Sequence, residues 1–361
     1  MNRAAIKTPM TRHLKFFEAI REAQDLCMAK DPSVYVMGLG VPDPKGIFGT
    51  TLGLQEKYGP KRVLDIPLSE NAMTGVAIGS ALVGMRPIFT HQRVDFALIA
   101  MEQMINQAAK WHYMFGGQSQ VPLVIRMIIG RGWGQGPQHS QSLQSWFAHV
   151  PGLRVVMPVT PHDAKGLLIS SIEDDNPVIF MEHRWLYAIS DHVPEGLFRI
   201  PLGRARIVRQ GHDVTIVATS YMVLDAIRAA EKLSESGIQA EVIDLRSLRP
   251  LDDATILQSV RKTGRLVMAD TGWKAFGASA EILALVAEKA LGDLKAPPIR
   301  VALPDSPTPT SPALSDHFYP GPGQIAAAIL GMFGREPHGS LFDVLKGRRL
   351  DQPDPSFTGP F

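Results

Sequence analysis

Short runs of apolar, β-favouring residues alternate along this chain with longer stretches whose apolar positions recur at helical spacing. In the first half, Val34–Gly38, Arg62–Leu68, Pro87–Thr90, Pro122–Met127, Leu153–Val159 and Pro177–Met181 predict strands. In the second half, Asp213–Thr219, Ala240–Leu245, Arg265–Ala269 and Ile299–Leu303 do the same. These runs are continuous rather than alternating, the pattern of parallel strands covered by helices on both faces. Between them, Ala97–Phe115 sets Leu98, Met101, Ile105, Ala108 and Trp111 on one helical stripe, and Met222–Ser234 does so with Val223, Ile227, Ala230 and Leu233. The alternation predicts an α/β fold. Residues 188–212 are polar and carry no helical period, so two domains are expected, 1–195 and 196–334, each with a mostly parallel sheet flanked by helices. Residues 335–361, rich in Pro, Gly and charge, read as a C-terminal arm or tail.

Composition narrows the class. A chain of 361 residues buries enough surface to need no disulfide or structural metal. Its single cysteine, Cys27, lies in an apolar helical pattern and reads as a small core residue in a reducing, cytoplasmic setting. The net charge is +2 with acids and bases interspersed, which argues against nucleic acid or a membrane surface as the main partner. No apolar run reaches the roughly 18 residues of a membrane span, and the first residues lack the apolar core of a secretory signal.

Four places could carry chemistry. Glu70 follows a strand and opens a Gly- and Ala-rich helix pattern. With Ser69 as N-cap it is either an ordinary acid in a first helical turn or a carboxylate at the sheet edge where open α/β folds bind ligands. The glycine-rich loop GRGWGQGPQHSQS, residues 130–142, leaves another strand and ends near His139. Its spacing is neither a Walker nor a dinucleotide loop, and the histidine reads equally as solvent-facing or as an acid/base. Phe96 opens an amphipathic segment, where an aromatic is ordinarily core. The acids of SSIEDDNPVIFMEH, residues 170–183, make a solvated turn or, with neighbouring carbonyls, a site for a monovalent cation.

The order and spacing of PLSENAMTGVAIG, DFALIAMEQMINQAAKWHYMFGGQ, VPLVIR, GPQHSQSLQSWFAHVPGLRVVMPVTPHDAKGLL, NPVIFMEH and VIDLRSLRPLD resemble the beta subunits of pyruvate, branched-chain 2-oxo acid and acetoin dehydrogenases, and more broadly the second and third domains of transketolase. The likeness runs from about residue 10 to 332. It implies a pyrimidine-binding domain followed by a transketolase C-terminal-like domain, with thiamine diphosphate as cofactor. It matches Glu70 to the glutamate that hydrogen-bonds the aminopyrimidine, Phe96 to the aromatic stacked on that ring, and His139 to the histidine of the active-site loop. Leu123, Ser171, Ile172, Asp174 and Asn176 fall where some relatives hold a structural potassium ion, partly through backbone carbonyls.

The family's GDG motif, which holds the diphosphate through magnesium, is missing from all 361 residues. The resemblance therefore implies a separate alpha subunit carrying it, an α2β2 assembly with shared active sites, and a lipoyl acyltransferase core as acceptor. Two departures stand out. Gly38-Leu39-Gly40 replaces an acidic run, and His91-Gln92-Arg93-Val94-Asp95 replaces a less polar one before Phe96. The polar run fits either a substrate with an extra carboxylate or hydroxyls, or pairing with the alpha subunit. The principal reading is oxidative decarboxylation of a 2-oxo acid with acyl transfer to a lipoyl carrier. The alternatives are a split transketolase or acyloin-type synthase, and a non-catalytic scaffold.

Overall fold

Two sheets grow from the continuous apolar runs, and their central strands are buried along their whole length because helices cover both faces. The computed structural model describes residues 12–131 and 134–337. The first 11 residues, two residues of the glycine-rich loop and the arm from 338 onward lie outside the described residues. The strands are β1 His13–Lys15, β2 Val34–Gly38, β3 Val63–Asp65, β4 Arg86–His91, β5 Val124–Ile129, β6 Arg154–Val156, β7 Val178–His183, β8 Ser190–His192, β9 Arg206–Arg209, β10 Val214–Ala218, β11 Ala240–Asp244, β12 Ser247–Arg249, β13 Leu266–Trp273 and β14 Ile299–Leu303.

The larger sheet has the order β12-β6-β7-β5-β4-β2-β3 and the smaller β14-β13-β10-β11-β9. Each is parallel except for one edge strand, β12 on β6 and β9 on β11. The polar segment read as irregular contains that second edge, β9. Edge strands of three or four residues with little apolar content leave almost no periodic signal, which is why β9 and β12 were not expected. Because β12 lies in the second half of the chain yet pairs with β6, the two halves are stitched together. The bidentate pair of Arg246 with Asp163 adds to that seam, at 2.8 and 3.0 Å.

The segment Ala97–Phe115 is not one regular helix. It runs as a short α turn to Ala97, a 3₁₀ turn Leu98–Ala100, a π-helical stretch Gln103–Ala108 and a last turn Trp111–Met114. The changing pitch moves the fully buried positions to Ala97, Ala100, Met104 and Ala108, and of the expected stripe only Ala108 is fully buried while the other four pack half-buried. The helix Met222–Glu235 follows the expected stripe, with Val223, Ala230 and Leu233 buried and Ile227 half-buried. Cys27 is core, and burial pushes its thiol up to about 12.

Beneath the larger sheet lies a closed polar network. Arg126 grips Glu182 through two bonds of 2.6 and 2.9 Å, Tyr187 donates to the same carboxylate at 2.6 Å, and Arg126 also donates to Gln24. Gln24 in turn holds the carbonyl of Thr50 at 2.6 Å, anchoring the loop that follows β2.

Candidate active site

The larger sheet ends its parallel strands on one edge, and three connections leaving that edge enclose a cavity of about 230 Å³. The segment after β3 contributes Ile66, Pro67, Leu68, Ser69 and Glu70; the end of β4 contributes Phe89, Thr90, His91 and Gln92; Leu39 and Phe96 complete the wall. Open α/β sheets place ligands at this carboxyl edge.

Each wall has a local cause. Gly38 ends β2 where β4 comes so close that a Cβ would stand 2.6 Å from the carbonyl oxygen of Thr90, so only glycine fits. The chain then turns, and Leu39 is fixed by a bond of 3.1 Å from the Gln92 amide to its carbonyl. Glu70 is the first residue of the helix Glu70–Leu82, half-buried, where the unsatisfied N–H groups favour a carboxylate. Ser69 occupies the N-cap position as expected but makes no side-chain cap bond.

His91 is buried against Phe89, with ring centroids 4.4 Å apart, and desolvation lowers its pKa to about 3. It is therefore neutral at physiological pH. Its Nε2 lies 3.4 Å from the Thr74 hydroxyl, and that hydroxyl donates to the Glu70 carbonyl at 2.7 Å. A hydroxyl that has given away its proton can only accept from the imidazole, so Nε2 carries the hydrogen and Nδ1 is the acceptor. Thr74 gave no signal in the sequence, since a threonine one turn into a helix is ordinary.

Glu70 and Phe96 share the cavity wall. His139 does not line it, but its imidazole meets the Phe96 ring edge-on, with centroids 5.4 Å apart at 87°. The sequence candidates Glu70, Phe96 and His139 thus converge on one edge of the sheet. The segment Leu123, Ser171, Ile172, Asp174 and Asn176 is elsewhere, beside the amino end of β4. There Arg86 donates to the carbonyls of Ile172 and Asp174 at 3.1 Å each, Val178 N–H to that of Leu123, and Asp174 N–H to that of Ser171. Among the described residues, no group of three or more His, Cys, Asp or Glu could hold a metal ion.

A second cavity of about 20 Å³, lined by Arg131, His183, Tyr221 and Asp270 among others, is large enough for no more than a water molecule. Arg131 there lies over the rings of Trp185 and Tyr319, at 4.2 and 4.5 Å.

Residues 12–189 match the family model of the transketolase pyrimidine binding domain, and residues 203–325 that of the transketolase C-terminal domain. The chain is 48% identical over 329 residues to the acetoin:2,6-dichlorophenolindophenol oxidoreductase subunit beta of Cupriavidus necator, covering 88% of this chain and 97% of that protein. It is 47% identical over 296 residues to the mitochondrial pyruvate dehydrogenase E1 component subunit beta-1 of Arabidopsis thaliana, covering 81% and 82%. A solved structure described as a split gene transketolase, inactive beta4 tetramer, superposes with a TM-score of 0.74 over 90% of this chain and 99% of that one. Its identity of 22% makes this a likeness of fold alone.

Proposed function

We propose, from the fact that this chain belongs to the transketolase-like family of acetoin and pyruvate dehydrogenase beta subunits, that it is one half of a thiamine-diphosphate enzyme and is active only with an alpha subunit. The observation that carries the reading is the cavity at the carboxyl edge of the larger sheet, with a carboxylate and a flat aromatic on its wall. These residues suit an aminopyrimidine: Glu70 offers a carboxylate to a ring nitrogen, Phe96 a face for stacking, and Leu39, Ile66 and Phe89 an apolar lining. At about 230 Å³ the cavity is below the roughly 300–1,000 Å³ of sites that enclose a whole ligand, which supports a shared site.

When bound, the cofactor supplies a nucleophilic carbon and an electron sink for cleavage beside a carbonyl. Glu70 would hold or share a proton with a ring nitrogen of the cofactor. Phe96 would offer the ring a flat face to stack on. His139, across the edge of Phe96, takes or gives a proton at the substrate or orients its carboxylate. Magnesium falls to the alpha subunit, which would carry the diphosphate motif this chain lacks. A potassium ion at Leu123, Ser171, Ile172, Asp174 and Asn176 would compete with the Arg86 guanidinium, which donates to the carbonyls of Ile172 and Asp174.

The α2β2 stoichiometry, the lipoyl acyltransferase core, the cytoplasmic setting and the division into domains 1–195 and 196–334 belong to the same proposal. Among the described residues no helix is long and apolar enough to cross a membrane. A second reading, a split transketolase or acyloin-type synthase, draws support from the polar His91 and Gln92 on the cavity wall. The test is reduction of ferricyanide or 2,6-dichlorophenolindophenol by this chain assembled with its alpha partner, thiamine diphosphate and magnesium. Pyruvate, branched-chain 2-oxo acids and acetoin form the panel. Turnover of one of them is expected; a complex that binds the cofactor and turns over none would transfer the assignment to the synthase.

A further inference from the structure

Two members of the polar run His91–Asp95 reach past the cavity to the loop that carries His139. Arg93 is buried at the start of the turn Val94–Ala97, and its Nη1 donates to the main-chain oxygen of His139 at 3.0 Å. Two residues on, Asp95 accepts from the Gln141 side chain at 2.8 Å. The next residue is Phe96, whose ring meets the His139 imidazole. One short turn therefore touches the loop three times, at the backbone of His139, at its side chain and at Gln141. The loop is closed at its neck by the bond of 3.1 Å from Gly130 N–H to the Gln141 carbonyl.

We infer that Arg93, aided by Asp95, is a positioning residue that fixes His139 against Phe96; the inference rests on the reading of the cavity given above. The energetics favour this role. A buried guanidinium or carboxylate is costly unless it is hydrogen-bonded, and burial disfavours the charged form of both Arg93 and Asp95. Their mutual attraction and the Gln141 bond offset part of that cost. A charge-assisted donor in a desolvated place also holds its acceptor more tightly than a neutral one does. Loops that carry reactive groups are otherwise the more mobile parts of a fold. With both Phe96 and His139 tied to one turn, the cofactor-stacking face and the proton-handling group keep a constant separation.

The experiment compares Arg93→Gln, Arg93→Lys, His139→Ala and the Arg93→Gln/His139→Ala double variant in the complex assembled with the alpha partner, thiamine diphosphate and magnesium. Arg93→Gln is expected to lower kcat/KM by about 10- to 100-fold, the scale of a small misplacement of a reacting group. Lysine, which keeps the charge and a donor, should restore part of that loss. In the His139→Ala background, Arg93→Gln should change kcat/KM by no more than about twofold, because groups acting as one unit do not add. An equal loss in both backgrounds would overturn the inference, since Arg93 would then act without His139.

Hydrogen exchange of residues 134–142 in the same complex gives a readout that needs no turnover. Arg93→Gln should speed exchange there while leaving the helix Met222–Glu235 unchanged. Unchanged exchange in 134–142 would also sink the inference. An inactive wild-type complex whose loop exchange still responds to Arg93 would instead count against the function proposed above.

Discussion

Glu70→Gln separates the chemistry of the cavity from the stability of the fold. The substitution is nearly isosteric and keeps a hydrogen-bonding side chain on the cavity wall, but it removes the charge and the ability to hold a proton. Glu70 is half-buried in the first turn of its helix, so the structural loss is the interaction of a carboxylate with the helix N-terminus. That is worth about 0.3–1 kcal/mol. In a chain of this size it lowers Tm by roughly 1–4 °C or less. The catalytic loss is larger: withdrawal of a positioned proton-holding group costs about 10²- to 10⁴-fold in rate. Such a factor is about 3–5 kcal/mol of transition-state stabilisation. The assay is dye reduction by the assembled complex at saturating cofactor, with thermal unfolding and cofactor binding measured on the same preparation. The reasoning requires turnover to collapse while Tm hardly moves. Undiminished turnover would refute it and would revive a non-catalytic, scaffolding role. A large fall in Tm would show instead that Glu70 holds the fold.

Three further outcomes follow from the same structure. Glu182→Gln leaves the buried Arg126 guanidinium without its counter-charge and should destabilise the chain by about 3–5 kcal/mol, whereas Arg126→Met with Glu182→Gln, which removes the charge and keeps an acceptor for Tyr187, should recover part of that; denaturant unfolding decides, and equal stability of the two variants would refute the account. Asp244 is pushed up to about 7 by burial and by the charge of Asp163, with Arg246 and Arg206 opposing. Its raised pKa gives stability that is full below its unfolded value near 4 and lost as pH rises through about 7. Asp244→Asn should flatten the fall of Tm between about pH 4 and 7, and an unchanged slope would remove this carboxyl from the seam. If potassium is held beside Arg86, Tm in potassium chloride should exceed that in choline chloride at equal ionic strength, and identical values would remove the ion.

The sequence was most legible where one physical cause acts over many residues. Both parallel sheets were visible because strands buried on two faces are largely apolar, as Val124–Ile129 apart from Arg126 and Val214–Ala218 apart from Thr215 are. The edge strands β9 and β12 were invisible, being only four and three residues long, too short for a periodic signal. The segment from Ala97 to Phe115 looked like one helix because its composition suits any helical pitch. Its 3₁₀ and π turns pack against the helix Glu70–Leu82, a tertiary contact that no local pattern records. At the site, Glu70, Phe96 and His139 were found through family likeness. The supports of Thr74, Arg93 and Asp95 depend on which loops meet across the sheet edge, and that is a tertiary fact.

The rim of the cavity argues for a shared site independently of the missing motif. Leu68, which lines the cavity, is 75% exposed. Val76 on the same helix as Glu70, and Ile99 just beyond Phe96, are also exposed, although neither adds to this chain's own core. Of these three only Leu68 lines the cavity, while Val76 and Ile99 stand near Glu70 and Phe96 in sequence. A cavity below the size of sites that enclose a whole ligand, with the exposed Leu68 on its wall beside Glu70, fits the proposed two-chain site. An alpha subunit that covered these residues would bury apolar surface and exclude water from the cavity in the same step. Assembly and a dry active site would then come from one set of contacts, as the proposed dependence on an alpha subunit requires.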